Sequence, residues 1–170
     1  MQYGDGLWGT MIIKGPSTAN YDIDLGVLPI TDWFHAPIFQ VNAASLHAAG
    51  PPTADNVLIN GSMTSTAGGK YAVTTLTPGK SHLLRIANVG INNWLHVGLD
   101  GHKFTVVAAD FVPIVPYESS SLSIAVGKST QISFLGCARQ SPCTPPQPRI
   151  CTSLPWNITL TPHSVHRPTI

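Results

Sequence analysis

Seven histidines and three cysteines are the residues of this chain that could hold a transition metal or act as nucleophiles. A metal centre needs several converging ligands, so spacing decides whether they can do so. In the β-rich body, His96 and His102 flank an Asp100-Gly101 pair between the apolar runs Trp94–Leu99 and Phe104–Val107. That pair predicts a two-residue hairpin, since both turn residues need positive φ. Leu99 then faces His102, Val97 faces Phe104 and Leu95 faces Val106, all on one side of the sheet. His96, Gly98, Lys103 and Thr105 take the other side. The two imidazoles diverge and are not expected to share an ion.

The remaining candidates are more scattered. Cys137, Cys143 and Cys151 crowd the last quarter with the spacing C-x5-C-x7-C, which matches no zinc template. His35 and His47 lie twelve residues apart and form no ligand pattern. His163-x-x-His166 has neither a helix nor a third ligand beside it. Asn60-Gly61-Ser62 and Asn157-Ile158-Thr159 are glycosylation sequons. Asn60 is the better acceptor, because an Asn-Gly turn before a polar loop sits at the surface.

The elements that would position these residues are short strands. Only 10% of residues are charged, and 15 Gly and 15 Pro interrupt the chain at regular intervals, which favours an all-β sandwich or barrel. Strands are predicted at Trp8–Ile13, Val27–Phe34, Asn56–Asn60 and Tyr71–Leu76. A run through Leu83, Leu84 and Ile86 follows, then the two hairpin runs, and Ser121–Val126 is the last. Ala36–Ala54 reads as a surface connection and Thr64–Lys70 as a loop. From Ala138 onward seven prolines fall among residues that neither pair in sheets nor form helices. The net charge of +1 without a basic cluster points away from nucleic acid and anionic membranes. No apolar run approaches the roughly 20 residues of a membrane helix. No signal-peptide pattern opens the chain.

LTPGKSHLLRIANVGINNWLHVGLDGHKFTVVAADFVPIVP (Leu76–Pro116) closely resembles the second cupredoxin-like domain of ascomycete-type fungal laccases, in the multicopper oxidase family. The resemblance extends back through PPTADNVLING (Pro51–Gly61), DLGVLPITDWFH (Asp24–His35) and MQYGDGLWGTMIIKGP (Met1–Pro16), and fades near Gly127. It implies an incomplete, cupredoxin-like Greek-key β-sandwich. Residues 1–16 are the last strand of a first domain, 17–26 a linker, 27–127 a truncated second domain, and 128–170 an unrelated, disordered Pro/Cys-rich tail. With the closing strands replaced by that tail, the inner face should be partly uncovered and Trp8, Met11 and Ile13 exposed, leaving the chain marginally stable.

The resemblance implies one-electron oxidation of phenols or aromatic amines coupled to reduction of oxygen to water, in an extracellular enzyme. Copper is the cofactor of the parent family. The His-rich copper motifs of that family, His-x-His and His-Cys-His, do not occur here, so no copper is expected on this chain and it is expected to be inactive alone. The alternatives are a non-catalytic β-sandwich binding module, or the product of a faulty gene model. The alignment puts Asn92 where many laccases have an Asp or Glu that accepts a hydrogen bond from the phenol, with Pro51 and Pro52 at the pocket mouth. Tyr3 matches a tyrosine near the copper cluster. Gly4 and Ile91 stand where some relatives carry a bridged pair of cysteines.

Overall fold

The computed structural model describes residues 2–66, 68–99 and 102–136, together with the backbone of a strand at 156–161. The three cysteines, His163, His166 and the Asp100-Gly101 turn lie outside the described residues. After a 3-10 turn at Gln2–Asp5 come β1 (Ile23–Trp33), the single described helix α1 (Ile38–Ser45), β2 (Asn56–Ile59), and the two-residue strands β3 (Thr64–Ser65) and β4 (Gly68–Gly69). Then follow β5 (Ser81–Asn88), β6 (Trp94–Leu99), β7 (Phe104–Ala109), β8 (Val112–Ser119), β9 (Ser121–Ile124), β10 (Ser129–Leu135) and β11 (Trp156–Thr161).

Six strands form one sheet in the order β2-β1-β5-β10-β7-β8, and three form a second in the order β11-β6-β9. β1 and β5 run parallel, and the other pairs of the large sheet are antiparallel. The sheets face each other across one apolar core. Leu28, Ile30, Leu84, Ile86, Ile132 and Phe134 come from the large sheet, and Leu95, Val97, Leu99 and Ile124 from the small one. β1 is buried without a break from Leu28 to Asp32, as a strand covered on both faces must be.

The predicted hairpin is corrected. β6 bonds to β9 and β11, whereas β7 bonds to β8 and β10. The link through residues 100 and 101 therefore joins the two sheets. Leu95, Val97, Leu99, Phe104 and Val106 still all point into the core. Alternation determines which side chains turn inward but not which backbone edge a strand will bond.

Two further strands are not formed. Trp8–Ile13 has no ladder and runs along the outer face of the large sheet, sharing a groove of about 390 Å³ with Arg85, Ala87 and Gln131. Met11 and Ile13 remain exposed, and Trp8 is half-buried. Tyr71–Leu76 alternates in burial up to the buried Leu76, also without a ladder. Alternation without a neighbouring edge gives an extended segment, not a strand.

The largest correction concerns the residues after Val126. Ser129–Leu135, placed in the tail by its neighbours' composition, is the strand between β5 and β7. Thr130, Ile132, Ser133 and Phe134 are buried in it, so the inner face expected to lie open is covered here. β8 was not expected, and it carries Pro113 and Pro116. It is the edge strand of its sheet, where a missing N–H leaves no ladder bond unmade.

Ile132 is fully buried at the centre of the core. Ile132→Ala is expected to cost about 2–5 kcal/mol, a large share of the ~5–15 kcal/mol that holds a domain folded. Urea unfolding of the purified chain checks this, since a bystander tail would leave the midpoint unmoved.

Arg85 pairs with Asp24 across the parallel β1–β5 strands. That bond, helped by the Gly26 N–H and opposed by partial burial, holds the Asp24 carboxyl below its usual range. A depressed carboxyl contributes stability that is full above its unfolded value of about 3.9 and is lost as pH falls through the lower folded value. Asp24→Asn should therefore destabilise the chain at neutral pH, by an amount that shrinks on going to pH ~3, below the unfolded value. Parallel denaturation curves at the two pH values measure the difference.

Candidate functional site

Where β1 ends, the strand carries a carboxylate into the interior. Asp32 is fully buried. β1 sets it beside the loop that joins β5 to β6, and the loop turns its N–H groups toward it. Ile91 N–H donates to Oδ1 at 2.8 Å, and Asn92 and Asn93 N–H both donate to Oδ2 at 3.0 Å. The Asn93 side chain adds an Nδ2 bond to the same oxygen at 3.0 Å. Asn88, buried at the end of β5, grips the loop from its other side. Its Oδ1 accepts Gly90 N–H at 3.0 Å, and its Nδ2 donates to the carbonyls of Asn93 at 3.0 Å and Ile124 at 2.9 Å. Gly90 is required for space: a Cβ there would sit 2.5 Å from Asp32 Oδ1.

A cavity of about 320 Å³ opens beside this loop. Its walls are mostly apolar: Phe34 at the end of β1, Ile38 and Val41 of α1, Ile91 and Pro52. Tyr3, Asn42, Ser45 and Asn92 supply the polar groups, and none of the lining residues is charged. Asn92 Nδ2 donates to the Pro52 carbonyl at 3.2 Å, closing a contact between residues 40 apart in sequence. A carbonyl can only accept, so the NH2 end of the amide is committed and the carbonyl end is the acceptor left over.

The structure thus brings Asn92 and Pro52 together at one cavity. Pro51 is exposed and does not line it. Asn60 lies at the far end of β2, exposed, with φ 48° in the turn before Gly61. Tyr3 belongs to the 3-10 turn that packs on α1. Asp5 of that turn accepts the Ile38 N–H at 2.8 Å, a cap for a helix whose own N-cap residue is Pro37. A Cβ on Gly4 would lie 2.7 Å from Ile91 Cδ1, so the pair of positions that the resemblance singled out is close in space. Sequence reasoning missed Asp32, Asn88, Phe34 and Ile38. For Asp32 the signal was available: an acidic residue within a buried apolar strand must find donors.

The described residues do not fit a copper centre of imidazoles and a thiolate. Among them no three His, Cys, Asp or Glu side chains come close enough to hold one ion. His82 is committed to the core, its Nε2 accepting Thr77 N–H at 3.1 Å and its ring stacked on Phe134 at 5.8 Å. His35 is exposed beside Asp55, 3.9 Å away.

The profile of the multicopper oxidase family matches residues 24–140. Laccase-3 of Botryotinia fuckeliana is 49% identical over 131 residues, which are 75% of this chain and 29% of that protein. The laccase of Neurospora crassa is 42% identical over 129 residues, covering 75% of this chain and 21% of the relative. The chain therefore spans less than a third of these relatives' length. The crystal structure of laccase from Botrytis aclada superposes with a TM-score of 0.75 and 39% identity, over 82% of this chain and 28% of that one. Fet3p, at 22% identity and a TM-score of 0.58, shares the fold. The sandwich is cupredoxin-like, and this chain belongs to the multicopper oxidase family.

Proposed function

We propose that this chain is the middle cupredoxin-like domain of a laccase-type oxidase, following the end of a first domain at 1–16 and a linker at 17–26. In this reading it carries no copper and supplies one wall of the phenol pocket. The observation that carries the proposal is the meeting of Asn92 and Pro52 at an uncharged cavity walled by Phe34, Ile38 and Tyr3. A phenol or aromatic amine would lay its ring against the apolar wall and donate its O–H or N–H to Asn92 Oδ1. An amide oxygen accepts that bond but has no basic site near neutral pH, so Asn92 holds the proton's owner without taking the proton. An Asp in its place could do both. Copper would supply one-electron oxidation and oxygen reduction in the whole enzyme, held by segments with the His-rich motifs that this chain lacks. An extracellular enzyme, with Asn60 at its exposed turn as the glycan acceptor, completes the reading. Among the described residues no helix is long and apolar enough to cross a membrane.

A second reading, a non-catalytic aromatic-binding module, is favoured by the uncharged lining of the cavity, with Phe34, Ile38, Val41, Pro52 and Ile91 in its wall. Copper separates the two readings only in a longer protein. For this chain both require phenol binding without metal.

Two measurements check the proposal. After copper loading and dialysis, elemental analysis should find well under one copper per chain and no blue thiolate-to-copper absorption. One tightly held ion per chain would overturn the copper-free assignment. Titration with 4-methylphenol, followed by amide NMR, should give saturable shifts at Ile91–Asn93. Asn92→Ala should weaken binding by roughly 2- to 13-fold, the range for one neutral hydrogen bond of about 0.5–1.5 kcal/mol. Unchanged affinity would remove Asn92 from the site.

A further inference from the structure

We propose that Asp32 is a positioning residue of this pocket, setting through the 91–93 backbone the place from which Asn92 presents its amide. The inference rests on the phenol-site reading for its functional meaning, though not for its geometry.

The four N–H groups that Asp32 accepts come from three consecutive residues, with Asn92 in the middle. The strand backbone that holds the carboxylate is paired with β2 at Asp32 itself, opposite Val57, and with β5 up to Ile30, two residues earlier. Asp32 is 0% exposed, so it has no room to adopt a second rotamer without leaving donors unpaired. The loop is therefore referred to the rigid sheet by a group that is itself immobile. Asn92 then reaches Pro52 with its side chain while its own N–H stays on Asp32. Both ends of Asn92 are fixed, one by the sheet and one by the segment ahead of β2. Phe34 and Ile38, two and six residues beyond Asp32, line the same cavity. One short stretch of chain thus bears on both the apolar part of the lining and the position of Asn92.

The chemistry of substitution follows from counting acceptors. Asp32→Asn keeps the shape but leaves one oxygen in place of two, and turns an NH2 toward backbone donors. Donor would face donor, and the loop must move away. Asn93→Ala is milder, removing only the side-chain bond to Oδ2 and leaving the three backbone bonds.

The experiment uses the whole chain, isotopically labelled, as wild type, Asp32→Asn, Asn93→Ala, Asn92→Ala and the Asp32→Asn/Asn92→Ala double variant. Without ligand, the wild type should show a nuclear Overhauser contact between the Asn92 side-chain amide protons and the Pro52–Thr53 segment. Asp32→Asn should abolish it while the amide spectrum stays dispersed. Persistence of the contact in a folded Asp32→Asn chain would overturn the proposal, whether or not any phenol binds. With 4-methylphenol as the probe, Asp32→Asn should weaken binding by about fivefold, and adding it to Asn92→Ala should weaken binding no further, because the two act as a unit. Multiplying effects would mean that Asp32 acts on the fold and not through Asn92. If wild type does not bind the probe, the phenol-site reading fails, and the contact alone decides the positioning role. If Asp32→Asn loses its dispersion, Asn93→Ala decides. It should weaken the contact and reduce affinity about twofold, and an unchanged contact would overturn the proposal.

Discussion

A carboxylate in the interior of a protein is costly unless hydrogen bonds compensate it, and Asp32 imposes that constraint on its surroundings. It lies in the most deeply buried part of β1. The ladder to β5 ends at Ile30, two residues before Asp32, and on the other side the strand is taken up by β2. The donors it needs come from the 91–93 loop, which has to fold back over the end of the strand. Gly90 is present because any side chain there would enter the space of the carboxylate. Asn88 shares the load by bonding residues 90, 93 and 124, tying the loop to β9 as well. The pocket is thus a by-product of solving an electrostatic problem in the core.

The sheets set the larger frame. Because β6 and β7 lie in different sheets, the chain changes layers between residues 99 and 104. It also does so between β5 and β6, between β8 and β9, and between β9 and β10. The loop before β6 leaves the end of β5, and because β5 runs parallel to β1 that loop lies at the same end of the sandwich as the end of β1, where α1 and the 3-10 turn close over it. Residues from four separated stretches, around 3, 34–45, 52 and 91–92, therefore meet at one cavity. The wall has no charge, so it offers shape and a few neutral polar groups, Asn92 among them.

How much of this was legible in the sequence varied with the physical signal. β2, β5, β6, β7 and β9 follow from alternation and turn residues, and the apolar residues of β6 and β7 face inward as expected. Pairing partners were not legible, because a period of two carries no information about neighbours. The Asp100-Gly101 pair pointed to a hairpin with the local chemistry of one, yet the strands beside it bond elsewhere. β10 was hidden by the composition of the residues after it, although STQISFL alternates well enough to be a strand. Asn92 and Pro52 were placed by resemblance, while their contact across 40 residues needed coordinates. Asp32 was missed because a single polar residue in an apolar run reads as an interruption when it is in fact an anchor.

β10 also has a consequence for how the sandwich is assembled. The large sheet is made of β2-β1-β5 on one side and β7-β8 on the other, and only β10 joins them. As the chain leaves the ribosome, these two halves emerge first with the facing edges of β5 and β7 unbonded. Such edges invite association with other chains, and long-range pairing of this kind is slow. The last strand of the large sheet to be synthesised is its keystone. A nascent chain must therefore keep two open edges apart from their neighbours until residues 129–135 arrive between them.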